Sequence, residues 1–130
     1  MRKVQLVEPI ATPLAPVPVA AYAQGIEAGG FVYTAGQVGL DPSTGKLVEG
    51  LDAQAERAFA NVAAVLGAAS LSPSDVVKVT IFMTDLAQFA RVNTIYERFV
   101  GAHRPARTTV GVSALPLGAL IEVDAIALRG

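Results

Sequence analysis

The sequence predicts a two-layer α+β domain, a mixed β-sheet with two helices packed on one face. Three observations lead there. Hydrophobic periodicity sets out the order β-β-α-β-α-β-β along the 130 residues. Each helical stretch joins one strand to the next, which calls for parallel crossovers, and right-handed crossovers place both helices on the same side. The last strand is apolar on both sides: Ile121, Val123, Ala125 and Ala127 line one, while Leu120, Ile126 and Leu128 share the other with Glu122 and Asp124. No third helix exists to cover that second face, so a further copy of the chain is the expected cover.

Taken in order, residues 1–18 hold four of the eight prolines, Pro9, Pro13, Pro16 and Pro18. They read as an extended, irregular arm after a short strand at Val4–Val7. The stretches "VAAYAQGIEAGG" and "FVYTAGQVGL" read as two strands joined at Gly29-Gly30, and "DPSTGK" as a surface turn. Residues 51–69 are expected to be helical, with Leu51, Ala55, Phe59, Val62, Leu66 and Ala69 on one face. Ser72-Pro73-Ser74-Asp75 resembles a cap with proline at the first helical position. "VVKVTIFMT" (76–84) is a β-branched strand with Lys78 as its one charge. A second helix spans about 85–100, where Phe89, Val92, Tyr96 and Phe99 recur at 3, 4 and 3. Strands over 107–113 and 119–128, parted by "LPLG", close the chain. With no internal repeat or linker, residues 1–130 read as one domain, 1–17 being its proline-rich arm.

Composition narrows the function. Hydrophobic residues make up 52% and charged residues 16%, against roughly 25% charged in a typical soluble domain. A chain with so little polar surface is expected to associate with itself or to touch a membrane. No apolar run approaches the ~20 residues of a spanning helix, and the N-terminal segment, broken by Glu8, Pro9 and Pro13, is a poor signal peptide. Self-association in the cytoplasm is the expectation. Ten Lys/Arg against eleven Asp/Glu leave no basic stripe for nucleic acid. There is no cysteine for a disulfide, a thiolate ligand or a nucleophile.

Familiar catalytic patterns fail one by one. The lone histidine, His103, beside Arg104 in a loop, is a poor start for a Ser-His-Asp triad or a zinc site. "GLDPSTGK" has one residue too many between its glycines for a phosphate loop, and Leu47 stands where Ser or Thr would hold magnesium. What remains is Arg107 at the mouth of a strand, with Glu122 and Asp124 two apart on the last strand and so on one face. Two readings stay open. Arg107 is a buried strut paired to one of those carboxylates, or it offers its planar fork to a small carboxylate ligand. Tyr22 and Tyr33 read as packing residues before ligands.

The segments "YAQG" (22–25), "TAGQVGLDPSTGKLV" (34–48), "NVAAVLGAASLSPSDVVKVTIFMTDL" (61–86), "VNTIYERFV" (92–100) and "PARTTVGVSALPLGALIEVDAIAL" (105–128) follow one another in a specific order. Through them the chain, from about residue 18 onward, resembles the Rid family, the reactive intermediate deaminases, also called the YjgF or L-PSP family. The resemblance implies a chorismate-mutase-like fold, a homotrimer with ligand sites in clefts between subunits, and no cofactor or metal. It implies hydrolysis of 2-imino acids, formed from enamines such as 2-aminoacrylate, to 2-keto acids and ammonia. Arg107 stands where active members carry the arginine that grips the substrate carboxylate, and Glu122 where a glutamate is associated with the water. Tyr22 corresponds to a tyrosine at the cleft and Asn93 to a commonly retained asparagine.

Departures from the pattern bear on substrate preference. Ala35-Gly36-Gln37 replaces a frequent Ser-Gly-Gln, removing a hydroxyl, and Thr109 replaces a frequent cysteine or serine. Ala20-Ala21 precedes Tyr22 where Gly-Pro is common, and the proline-rich arm is atypical. The substrate contacts implied are Arg107, Tyr22, Ala35, Gly36, Asn93 and Thr109, with Arg107 and Glu122 catalytic. Gly36 and Gly111 are candidates for close backbone approach to a ligand or for simple packing relief. A non-catalytic trimer that binds 2-keto acids is the main alternative. A ribonuclease or translation inhibitor is disfavoured by the near-neutral charge and solitary His103.

Overall fold

The computed structural model describes residues 7–130. Residues 4–6 of the strand expected at Val4–Val7 lie outside that range; the described strand is β1, Val7–Ile10. It is followed by β2 (Gly25–Ala28), β3 (Phe31–Thr34), β4 (Gln37–Val38), β5 (Leu40–Asp41) and β6 (Lys46–Leu47), then α1 (Leu51–Ala68). β7 (Val76–Met83), α2 (Phe89–Val100), β8 (Ala106–Gly111) and β9 (Ile121–Leu128) complete the chain. The main sheet runs β1-β2-β3-β9-β7-β8, and among the described strands only β7 and β8 are parallel neighbours. The helix over 85–100 begins later than expected, because Asp85 caps a 3-10 turn at Leu86–Gln88 before α2 starts.

Both crossovers are parallel, as predicted, but the first is not between neighbours. β3 and β7 each pair antiparallel with β9, which lies between them. Both helices cover one side of the sheet. Phe59, Val62, Val65 and Leu66 of α1 and Val92, Ile95 and Tyr96 of α2 share one core with Val79, Ile81, Ile121 and Val123. On the other side, Tyr33 and Leu128 remain exposed and Ile126 half-buried.

The stretch expected as a single strand over 31–40 is interrupted, and the break shapes the site. Tyr33 pairs with Ile126, while Gln37 pairs with Val123. Three residues, Thr34, Ala35 and Gly36, thus face two, Asp124 and Ala125: a β-bulge with one extra residue. Its loose groups are satisfied. The Ala125 amide donates to Thr34 Oγ1 at 3.0 Å, and the Ala35 amide donates to the Gln24 carbonyl at 2.8 Å. The expected strand over 19–30 shortens to β2, because residues 11–24 follow the arm instead. Buried Gln24 holds that arm. It accepts from the Thr12 amide (2.6 Å) and donates to the carbonyls of Thr12 (3.0 Å), Ala15 (3.2 Å) and Pro16 (2.8 Å).

Candidate functional site

Arg107 pairs with Val79 of β7, and Thr109 with Ile81. Residues opposite one another in a sheet project to the same side. Val79 and Ile81 are buried beneath the helices, so Arg107 and Thr109 point to the helical side. Thr80 and Phe82 alternate to the open side, where they pair with Asp124 and Glu122. A strut between Arg107 and either carboxylate is therefore not formed within one chain; the sheet separates them.

Arg107 is instead held by α2. Its Nη1 donates to Asn93 Oδ1 at 2.7 Å. Its guanidinium carbon lies 4.6 Å from the ring centroid of Tyr96 and 5.2 Å from that of Phe89. Phe89, Asn93 and Tyr96 are spaced four and three apart, one face of a helix. Tyr96 packs in turn on Phe59, with centroids 5.8 Å apart. Burial raises the Tyr96 pKa, against the opposing charges of Arg107 and Arg104, so the phenol stays protonated. Among the described residues the ion pairs are Arg91–Asp52, Arg98–Glu56 and Arg129–Glu27, and Arg107 belongs to none. Its remaining donors face a cavity of about 300 Å³ that Glu97, Arg104 and Pro105 also line.

A second cleft opens on the other side. The bulge brings Ala35 and Gly36 over β9 beside Glu122. A Cβ on Gly36 would lie 2.9 Å from Glu122 Cδ, so any other residue there would make the carboxyl shift from its place. Gly111 meets no such neighbour: a Cβ there would make ordinary contact with Leu86 at 3.6 Å. Tyr22, whose hydroxyl accepts from the Val19 amide at 3.4 Å, joins Ala35, Gly36 and Glu122 around a cavity of about 470 Å³. Val38, Leu40, Pro116 and Leu117 supply its walls. Burial, and secondarily the charge of Asp124, raise the Glu122 pKa. Burial raises the Asp124 pKa too, against the lowering effects of a Thr80 hydrogen bond and the Lys78 charge.

Two buried amides of α1 hold the backbone of the wall strands β4 and β5 and of the residue just before β9. Asn61 Nδ2 donates to the carbonyls of Val38 (3.1 Å) and Leu40 (2.9 Å), and its Oδ1 accepts from Arg57 Nε at 3.0 Å. Gln54 Oε1 accepts from the Leu120 amide at 2.9 Å.

The predicted residues thus separate into two groups. Arg107 and Asn93 meet on the helical side; Tyr22, Ala35, Gly36 and Glu122 meet on the open side. Thr109 joins neither: it lines neither cavity, and its hydroxyl is buried without a partner. His103 is structural, its Nε2 donating to the Val76 carbonyl at 2.6 Å. Phe89 and Tyr96, read from sequence only as core positions, are the rings under Arg107; their sharing a helix face with Asn93 was the available signal. Arg104, Pro116 and Leu117 carried no such signal. Among the described residues no cluster of three or more His, Asp or Glu is placed to hold a metal ion.

Fold and clefts together define a class: a small two-layer α+β protein with a cationic cleft on one side of its sheet and a carboxylate cleft on the other. The chain belongs to the L-PSP, or Rid, family, whose model, described as Endoribonuclease L-PSP, matches residues 12–129 and so begins within the arm. A RutC family protein of Aquifex aeolicus is 47% identical over 122 residues, which span 92% of this chain and 98% of the relative. A 2-iminobutanoate/2-iminopropanoate deaminase of Salmonella typhimurium is 45% identical over 123 residues, 92% of this chain and 96% of that one. The crystal structure of E. coli TdcF with bound serine matches with a TM-score of 0.91 at 38% identity, covering 95% of this chain and 99% of the other.

Proposed function

We propose that this protein hydrolyses reactive 2-imino acids to 2-keto acids and ammonia, in a homotrimer whose clefts each combine the Arg107 side of one copy with the Glu122 side of the next. The observation that carries this reading is an arginine fixed by Asn93, Tyr96 and Phe89 in a cleft, with no carboxylate among the described residues within ion-pair distance. Such a group is prepared for a planar carboxylate that accepts two parallel hydrogen bonds. Relatives named 2-iminobutanoate/2-iminopropanoate deaminase support the reaction class.

The chemistry asks little of the protein. The imine carbon is already electrophilic, so water adds to it directly once the carboxylate is gripped and the carbon faces the water. Glu122 takes the proton that water gives up as its oxygen bonds to carbon. It passes that proton to nitrogen, giving a carbinolamine; it then takes the hydroxyl proton and hands it to the same nitrogen, so that the C–N bond breaks and ammonia leaves as the C=O bond forms. A carboxyl raised above its ordinary pKa is better matched to both proton steps near neutral pH. Against a ribonuclease stand the net charge of −1 and the engagement of the only histidine with Val76.

The test generates imino acids in place with an amino-acid oxidase and follows keto-acid release. Turnover is expected for the parent protein, and Arg107→Ala is expected to lose at least ~10³-fold. Because no charge partner is stranded, its stability should fall by only about 2–3 kcal/mol, the worth of one hydrogen bond and two half-buried cation–π contacts. Arg107→Lys keeps the charge but not the fork, and should bind keto acids while turning over poorly. Keto-acid binding by the parent without ammonia release would leave the binding-module reading in its place.

A further inference from the structure

The Glu122 cleft is walled almost wholly by carbon. Val19 comes from the segment just after the arm, Ala35 from the bulge, Val38 and Leu40 from β4 and β5, and Pro116 and Leu117 from the turn before β9. Its volume of about 470 Å³ is roughly fifteen times the share of one water molecule, far more than a methyl side chain would fill. Leu117 stands out on the lip of this cleft for two reasons. Its φ is 62°, in the left-handed region that disfavours any residue with a Cβ. Its side chain is nevertheless apolar and 59% exposed. Glycine would relieve the backbone and a polar residue would suit the exposure, yet the position presents leucine to the cleft.

We infer that this cleft receives the substrate side chain and selects 2-imino acids with apolar side chains longer than ethyl, with Leu117 as the specificity-determining residue. This rests on the proposed deaminase reading and adds to it the class of substrate. Arg107 supplies the only anchoring charge the ligand needs, at its carboxylate, and Glu122 stands where the cleft meets the reacting carbon. Beyond Glu122 the walls offer the ligand contact area and few hydrogen bonds, so selection follows the apolar surface removed from water.

The experiment compares kcat/KM for imino acids made from alanine, 2-aminobutyrate, leucine and glutamate. Each added carbon buried should raise kcat/KM on the order of fourfold, so leucine-derived substrate should exceed alanine-derived by on the order of fiftyfold. Leu117→Gly suits the positive φ and should melt at the same or a higher temperature, while the leucine-to-alanine ratio falls about tenfold. Ala35→Ser, which places a hydroxyl in the wall, should lower the same ratio. A preference for the glutamate-derived substrate, which Arg104 beside Arg107 would attract, overturns the inference. So does a ratio unchanged in Leu117→Gly, including the case in which that variant merely weakens association between copies. If no imino acid is hydrolysed the deaminase reading fails by itself, and calorimetry then decides the cleft. Binding of 4-methyl-2-oxopentanoate at least about tenfold tighter than pyruvate supports the apolar selection; equal binding overturns it.

Discussion

Glu122 and Asp124 project from the same side of β9, and burial disfavours the charged form of each. A carboxyl with a higher pKa folded than unfolded holds its proton more tightly in the native state. Stability then falls as pH rises from the unfolded value, about 4.3 for glutamate, through the raised native one. Glu122→Gln removes that charge and keeps the shape. It should melt higher than the parent at pH 7.5, with the gain gone by pH 4, while turnover drops ~10²–10⁴-fold if the carboxyl moves protons. Melting curves at both pH values and ammonia release measure the two effects. A neutral-pH loss of stability would mean that a cationic group from another copy already pairs with the carboxylate. The same reasoning locates what was legible at this scale. Arg107 was visible as an isolated fork, and the chain's resemblance pointed to Glu122, but the rings beneath Arg107 looked like ordinary core positions because cation–π and core spacing coincide on α2.

Among the elements, α1 does more than cover the sheet. Asn61 is fully buried and ties down the Val38 and Leu40 carbonyls, where the short strands after the bulge have few ladder partners of their own. Asn61→Leu would fill the same space but leave both carbonyls and the Arg57 Nε without that amide. A loss of about 2–4 kcal/mol is expected, since each buried group left unpaired costs about 1–3, and denaturant titration would measure it. Helices α1 and α2 and strands β7 and β9 were legible because their burial repeats within one segment. The bulge at Thr34–Gly36 was not, because one extra residue in a strand leaves the local pattern of apolar residues intact. Nor was the place of β9 between β3 and β7, since a pairing across ninety residues leaves no local mark.

On the scale of the whole molecule, a chain with its two clefts on opposite sides of a sheet does not complete the proposed site alone. At micromolar concentration sedimentation should show one species near three times 13.4 kDa, its sheets covering one another's apolar side. Arg107→Ala and Glu122→Gln, each inactive, should regain activity when unfolded and refolded together, because about one cleft in four then draws an intact half from each parent. No recovery would place both residues' action within one copy. This division was not legible in the sequence, where strand spacing fixes the side of each residue relative to its own strand but not to a distant one. The arm carries a different consequence. Beyond β1, which the sheet holds, residues 11–18 are tied to the domain by one amide, that of Gln24, with four hydrogen bonds to Thr12, Ala15 and Pro16, and by buried Ala15. Order there is gained or lost as a unit, so Gln24→Ala should open residues 11–19 to protease and to rapid amide exchange while the sheet exchanges as slowly as before. Val19 travels with that segment, and local unfolding of the arm would therefore strip one wall from the Glu122 cleft without unfolding the protein.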